Sequence, residues 1–273
     1  MTALWLAGSA CAVALLLTDP SRTASSPREV LDLSGYKLTF SEEFDDLSVS
    51  AWGPGTRWIA HTPWKGDFGD ATFVNPVGDF PFTVEDGVLR IEARKGTDGK
   101  WRSGLLSTVD ARGNGFAQQY GYFEMRAKLP TGPGVWPAFW LVGVNWAGRG
   151  GSKTSVEIDI LEYYGPVTPD WYSSVVHLWY QDGSGRKHSV GNKNKVPAET
   201  RFDEYHTYGV RVRPDDITFY FDRVEMWKVP ALPPEYQQPM MILVNLALGS
   251  GYPIDETPNP SYMFVDYIRA YSE

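Results

Sequence analysis

From Tyr36 to its end the chain is a succession of short alternating runs cut by Gly, Pro, Asp and Asn. That rhythm restricts the fold more than any other feature. Apolar and polar residues that alternate with period two belong to half-buried strands, because successive side chains of a strand point to opposite faces. Val84 to Ile91 holds two such runs around an Asp86-Gly87 turn. Tyr122 to Leu129 sets Phe123, Met125, Ala127 and Leu129 on one side and Tyr122, Glu124, Arg126 and Lys128 on the other. Val210–Val212, Ile217–Phe221, Met240–Leu246 and Phe264–Tyr271 are similar. Helix signals are scarce. Many short strands at regular spacing predict an all-β protein, a two-sheet sandwich or jelly roll rather than a βαβ fold. The Gly-rich stretches Lys65–Pro81 and Asn145–Thr154 are expected to be loops that overhang one face and shape a binding site.

The first residues read differently. Ala3 to Leu17 is an almost unbroken apolar run, too short for a membrane span and suited to a signal-peptide core. Thr23-Ala24-Ser25 offers a cleavage site, although no Lys or Arg precedes the apolar run; an uncleaved anchor is the alternative. Residues 1–26 are therefore expected to be signal peptide and linker, and residues 33–273 one domain, with no second linker or internal repeat. The expected location is secreted, extracellular or periplasmic, with no membrane association after cleavage. The only cysteine, Cys11, lies in this leader, so the mature chain has no disulfide or thiolate chemistry. A net charge of −8 argues against nucleic acid as a partner. The chain carries 11 Trp and 15 Tyr, enough to supply sugar-stacking platforms as well as core. It is expected to act as a monomer.

Chemistry concentrates in Glu157-Ile158-Asp159-Ile160-Leu161-Glu162. In a strand Glu157 and Asp159 share a face, and Glu162 points to the other. One extra residue, Leu161, returns Glu162 to the first face if it forms a β-bulge. Two carboxyls flanking a scissile bond are what glycoside hydrolysis needs, and a separation of about 5–5.5 Å gives the retaining reaction. Asp159 is expected to hydrogen-bond Glu157 and orient it, while crowding keeps Glu162 protonated. The competing readings are an exposed acidic strand edge and a calcium site. Trp136 and Trp140, four apart in a strand whose other face carries Val135, Phe139 and Leu141, are expected to line the same cleft; core packing is the competing reading. His177 is a further candidate for the cleft, or a hydrogen-bonded structural histidine.

Six blocks in order extend the pattern: Phe40–Phe44, Val84–Leu89, Tyr120–Pro130, Trp136–Trp140, Glu157–Glu162 and Val265–Arg269. Together they resemble glycoside hydrolase family 16, the laminarinase and lichenase group, over about residues 36–273. The resemblance implies a concanavalin-like β-jelly roll of two curved antiparallel sheets with an open concave cleft. It implies endo-acting, retaining cleavage of β-1,3 and/or β-1,4 linkages in a β-glucan or related exopolysaccharide. Glu157 matches the nucleophile, Glu162 the acid/base and Asp159 the assisting acid. Glu124 and Arg126, with Asn245, match positions that hold sugar hydroxyls; a surface ion pair is the competing reading for the first two. No cofactor is implied for catalysis. A structural calcium is implied away from the cleft, at Glu43, Gly87 and Asp266; Asp266 pairing locally is the alternative. A transglycosylase of the same family would share these residues. A non-catalytic β-glucan-binding protein would typically lack the acids, and a calcium-dependent adhesion module would depend on the ion.

Overall fold

The computed structural model describes residues 28–147, 154–180 and 187–273. The expected leader, with Cys11, and residues 148–153 of the Asn145–Thr154 loop lie outside the described residues. The chain opens with β1 (Lys37–Glu42), β2 (Val49–Ser50), β3 (Trp58–Ile59) and β4 (Thr72–Phe73). Next come β5 (Phe82–Glu85), β6 (Val88–Lys95), β7 (Trp101–Ser103), β8 (Leu105–Ser107) and β9 (Gly121–Lys128). The central strands are β10 (Val135–Gly143), β11 (Thr154–Glu162), β12 (Trp171–Tyr180) and β13 (Lys187–Lys195). The last are β14 (His206–Val212), β15 (Asp216–Phe221), β16 (Val224–Pro230), β17 (Met240–Leu248) and β18 (Ser261–Ser272). Among the described residues the helical elements are three short 3-10 turns.

The strands form two sheets. The ten-stranded sheet runs β16-β15-β14-β9-β18-β6-β7-β4, with β1 beside β18 and β5 beside β6. The eight-stranded sheet runs β13-β12-β11-β10-β17-β8-β3-β2. Strand pairing is antiparallel except for the short pairs β2–β3 and β4–β7. Neighbours such as β10 and β17, or β9 and β18, are far apart in sequence, as the long connections of a β-jelly roll require. Asp86 and Gly87 turn β5 into β6 with φ of 51° and 73°, both positive as a tight type I′ hairpin demands.

The core lies between the sheets and is built by alternation. In β10, Val135, Phe139 and Leu141 enter it, while Ala138, Trp140 and Val142 join an apolar cluster on the far side, with Trp136 packed against it. In β17, Ile242, Val244 and Leu246 face the core, and Met241, Leu243 and Ala247 face away with Trp140. Phe123, Met125 and Ala127 of β9 complete the core from the ten-stranded sheet. Each fully buried aliphatic or aromatic side chain contributes about 1.5–3 kcal/mol relative to exposure. The outer face of the eight-stranded sheet is thus also partly apolar, with aromatic rings where a simple sandwich would be polar. That face holds the site.

Candidate active site

The acidic hexapeptide ends β11, near the middle of the eight-stranded sheet. Val142 pairs with Glu157 and Trp140 with Asp159, but Phe139 pairs with Leu161, so Ile160 has no partner in β10. On the other side Asp159 pairs with Val175 and Glu162 with Ser173. Two residues therefore oppose one, which is a β-bulge. Ile160 and Leu161 both turn into the core. Glu157, Asp159 and Glu162 all line a cleft of about 470 Å³ on the outer face. The bulge expected from the spacing is present, but Leu161 pairs with Phe139 and it is Ile160, not Leu161, that β10 skips.

Each outer acid has a defined partner. The Trp179 indole N–H donates to Glu157 Oε2 at 2.7 Å. Trp136 Nε1 and the Tyr164 hydroxyl both donate to Glu162 Oε1, at 3.0 and 2.9 Å. Asp159 does not hold Glu157 as expected. Its Oδ2 lies 3.2 Å from His177 Nε2, and His177 Nδ1 is 2.6 Å from the Ser189 hydroxyl. β12 explains the contact: His177 stands directly across from Glu157, which brings its ring over the acids.

Burial dominates the electrostatics. It pushes Glu157 up to about 8, helped by the Asp159 charge and opposed by His177, the Trp179 hydrogen bond and Lys187. Burial, then the Glu162 charge, raises Asp159 well above the carboxylate range. Burial also lowers His177, favouring the neutral imidazole. These shifts are linked. A protonated Asp159 no longer raises Glu157 by its charge, so the two titrations are coupled. Asp159 is 5% exposed, and burial there favours its neutral form. Ligand atoms of Glu157, Asp159 and His177 lie within 4.8 Å of one another, the one three-donor set for a metal among the described residues.

The rest of the cleft is aromatic. Trp64, Phe68, Trp136, Trp140 and Trp179 line it, with Lys187, Asn245 and Ser250. Phe68 meets Trp136 and Trp140 edge-on at 5.4 and 5.8 Å. Trp140 is nearly buried and donates to Asn245 Oδ1 at 2.8 Å, whereas the Asn245 amide nitrogen is buried without a partner. Trp136 and Trp140 thus combine both expected roles, packing sideways on an apolar cluster and walling the cleft. Trp179, Tyr164, Trp64, Phe68 and Lys187 were not singled out from sequence. Trp179 carried a signal: two residues after His177, it shares that residue's face. Trp64 and Phe68 come from the Gly-rich loop 65–81 and its approach, and nothing local aims them.

Two expected sugar ligands lie elsewhere. Glu124 and Arg126 are on β9, on the outer side of the ten-stranded sheet, behind the core as seen from the cleft. Glu124 is fully buried and accepts from Arg223 through two nitrogens, both at 2.9 Å, and from the hydroxyls of Tyr122 and Tyr267. Arg126 pairs with Asp266 and stacks on Tyr205, 4.5 Å from the ring centre. They are structural, and the motif match misled because a match along one strand does not say which sheet, or which face, bears it. At the expected calcium position, the Glu43 carbonyl oxygen would lie 3.6 Å from a Cβ added at Gly87, so strand and turn are neighbours. The side chains are engaged, however: Glu43 by Arg269 at 2.8 and 2.7 Å, and Asp266 by Arg126.

Comparison with known proteins agrees with this geometry. The family model described as glycosyl hydrolases family 16 matches residues 78–269. The endo-1,3-1,4-beta-glycanase ExsH of Rhizobium meliloti is 33% identical over 265 residues, covering 89% of this chain and 53% of that protein. The endo-1,3-1,4-beta-glycanase EglC of the same organism is 34% identical over 264 residues, with the same coverage. The chain thus spans about half the length of these relatives. Among solved structures, the laminarinase catalytic domain of Thermotoga maritima superposes with a TM-score of 0.66 at 27% identity, covering 87% of this chain and 98% of that one.

Proposed function

The chain belongs to glycosyl hydrolases family 16, and from that premise we propose that it is an endo-acting, retaining β-glucan hydrolase. The observation that carries the reading is the bulge, which sets Glu157 and Glu162 on one cleft face with separate hydrogen-bond partners. Trp179 holds Glu157 Oε2, leaving Oε1 to attack the anomeric carbon. Glu162, held through Oε1, gives a proton from Oε2 to the glycosidic oxygen as the carbon–oxygen bond breaks. Water then attacks the same carbon, returns a proton to Glu162 and releases Glu157. Two inversions leave the anomeric configuration unchanged. Asp159, kept neutral by burial, lets Glu157 ionise beside it and donates to Nε2 of the neutral His177, whose Nδ1–H donates to Ser189.

Trp64, Trp136 and Trp179 offer ring faces or edges to sugars, and the unpartnered Asn245 amide offers a donor to a hydroxyl. A β-glucan with 1,3 and/or 1,4 linkages, or a related exopolysaccharide, suits these walls, and the activities for which the Rhizobium relatives are named support it. Residues 33–273 form the proposed catalytic unit, acting as a monomer outside the cytoplasm. Among the described residues no helix is long and apolar enough to cross a membrane. Cleavage needs no cofactor. A structural calcium belongs to the same proposal: the main-chain oxygens of Glu43 and Gly87 would hold it, with Asp266 exchanging Arg126 for the ion, remote from bond breaking.

The test is substitution with stereochemistry. Glu157→Gln and Glu162→Gln should each lower polysaccharide cleavage by about 10³-fold or more while the fold persists. Proton NMR during hydrolysis should show the β-anomer first. Initial release of the α-anomer, or near-normal turnover by either variant, would overturn the assignment.

A further inference from the structure

A bulge leaves main-chain groups without their ladder partners. Ile160 is skipped by β10, and its side chain is buried in the core. Its carbonyl oxygen therefore sits where water does not reach, and an unpaired buried acceptor is costly.

One side chain answers it. The Ser174 hydroxyl donates to the Ile160 carbonyl at 2.7 Å. Ser174 is the β12 residue that faces both bulge residues, between the pairs Asp159–Val175 and Glu162–Ser173. The direction of its hydroxyl is set from behind, because Asn194 Nδ2 donates to Ser174 Oγ at 2.7 Å. Asn194 Oδ1 in turn accepts from Asn192 Nδ2 at 2.7 Å. Ser174 and Asn194 are 0% and 1% exposed. The donors run one way across β13, β12 and β11, from the sheet edge to the bulge, so each bond polarises the next. None of the three side chains lines the cleft.

We propose that Ser174, oriented by Asn194, is a positioning residue for Glu162: it pins the bulge in the register that aims that carboxyl at the glycosidic oxygen. Losing the extra residue's place by one step turns Glu162 toward the core, since a one-residue slip exchanges faces. The inference rests on the proposed acid/base role of Glu162.

The experiment compares two leaving groups. A sugar hydroxyl needs a proton to depart, whereas a 2,4-dinitrophenyl group does not. Ser174→Ala should lower kcat/KM by about 10- to 100-fold on the polysaccharide that the wild type cleaves best, and by less than about threefold on a dinitrophenyl β-glycoside of its disaccharide. Asn194→Ala keeps the hydroxyl and loosens only its direction, so it should show the same selectivity with a smaller loss. Glu162→Gln is the control and should show that selectivity more strongly. If it does not, the acid/base reading itself fails. If Glu162→Gln is selective but the Ser174 and Asn194 variants lose both substrates equally, or neither, the positioning role is wrong.

Discussion

A carboxylate that attacks carbon needs one oxygen held and the other bare, and Trp179 provides the holding contact for Glu157. Trp179→Phe keeps the ring and deletes the donor. It should reduce kcat by about 10- to 100-fold with little change in KM, because the contact serves the reacting group more than the bound sugar; steady-state kinetics on the best polysaccharide decides it. The burial that tunes Glu157 also has a cost in stability. Burial raises its folded-state pKa above the unfolded value near 4.5, so its favourable contribution is complete below that value and is lost as pH rises through the raised one. Glu157→Gln removes the buried charge. Denaturant titrations should find the variant more stable than wild type at pH 9, by on the order of 1–3 kcal/mol, and equal to it at pH 4. An equal difference at both values would mean that packing, not charge, separates them. At this scale the three acids were legible in the sequence. The partner of Asp159 was not: His177 reaches it from another strand, through a pairing that no local pattern announces.

At the scale of the strand, the bulge separates two outcomes that composition alone would treat alike. Deleting Ile160 removes the extra residue and restores strict alternation, so the last Glu stays on the cleft face. That variant should fold and keep measurable cleavage. Deleting Ile160 and Leu161 together removes the bulge and one further residue of the alternation, a net one-residue slip that turns the last Glu into the core. It should be inactive and less stable, since a carboxyl then replaces an aliphatic side chain among buried neighbours. Activity and thermal melts of the two deletions, made in parallel, test the geometry directly; equal activity would contradict it. The same spacing argument foretold the bulge, because three acids on one face cannot arise from plain period-two alternation in this hexapeptide. What the spacing could not provide was its anchoring, which comes from Ser174 across the ladder.

For the molecule as a whole, the two sheets divide labour. The core they share contains Phe123 on the ten-stranded side, fully buried and far from the cleft lining. Phe123→Ala should lower the unfolding free energy by about 3–5 kcal/mol through lost burial and a residual cavity. Urea titration reads the loss, and kcat at low temperature should stay within about twofold of wild type, since the scaffold rather than the acids is affected. Chelation addresses the other remote feature. With the proposed calcium, EDTA should lower the melting temperature by a few degrees and leave initial rates at permissive temperature unchanged; a loss of rate without a change in melting would refute the remote placement.

Alternation, turn residues and the acid spacing are written in neighbouring positions, so the sequence by itself determined that the chain is all-β, where the bulge lies and which side chains of each strand share a face. Glu124 and Arg126 mark where that information ends. They alternate as regularly as Trp136 and Trp140, yet they occupy the outer side of the opposite sheet, paired with Arg223 and Asp266. Which sheet a strand joins depends on pairing between segments more than a hundred residues apart, such as β10 with β17. Only the tertiary structure decided that the cleft belongs to the eight-stranded sheet, that Trp179 meets Glu157, and that a buried serine braces the bulge, because each depends on contacts that exist only once distant strands lie side by side.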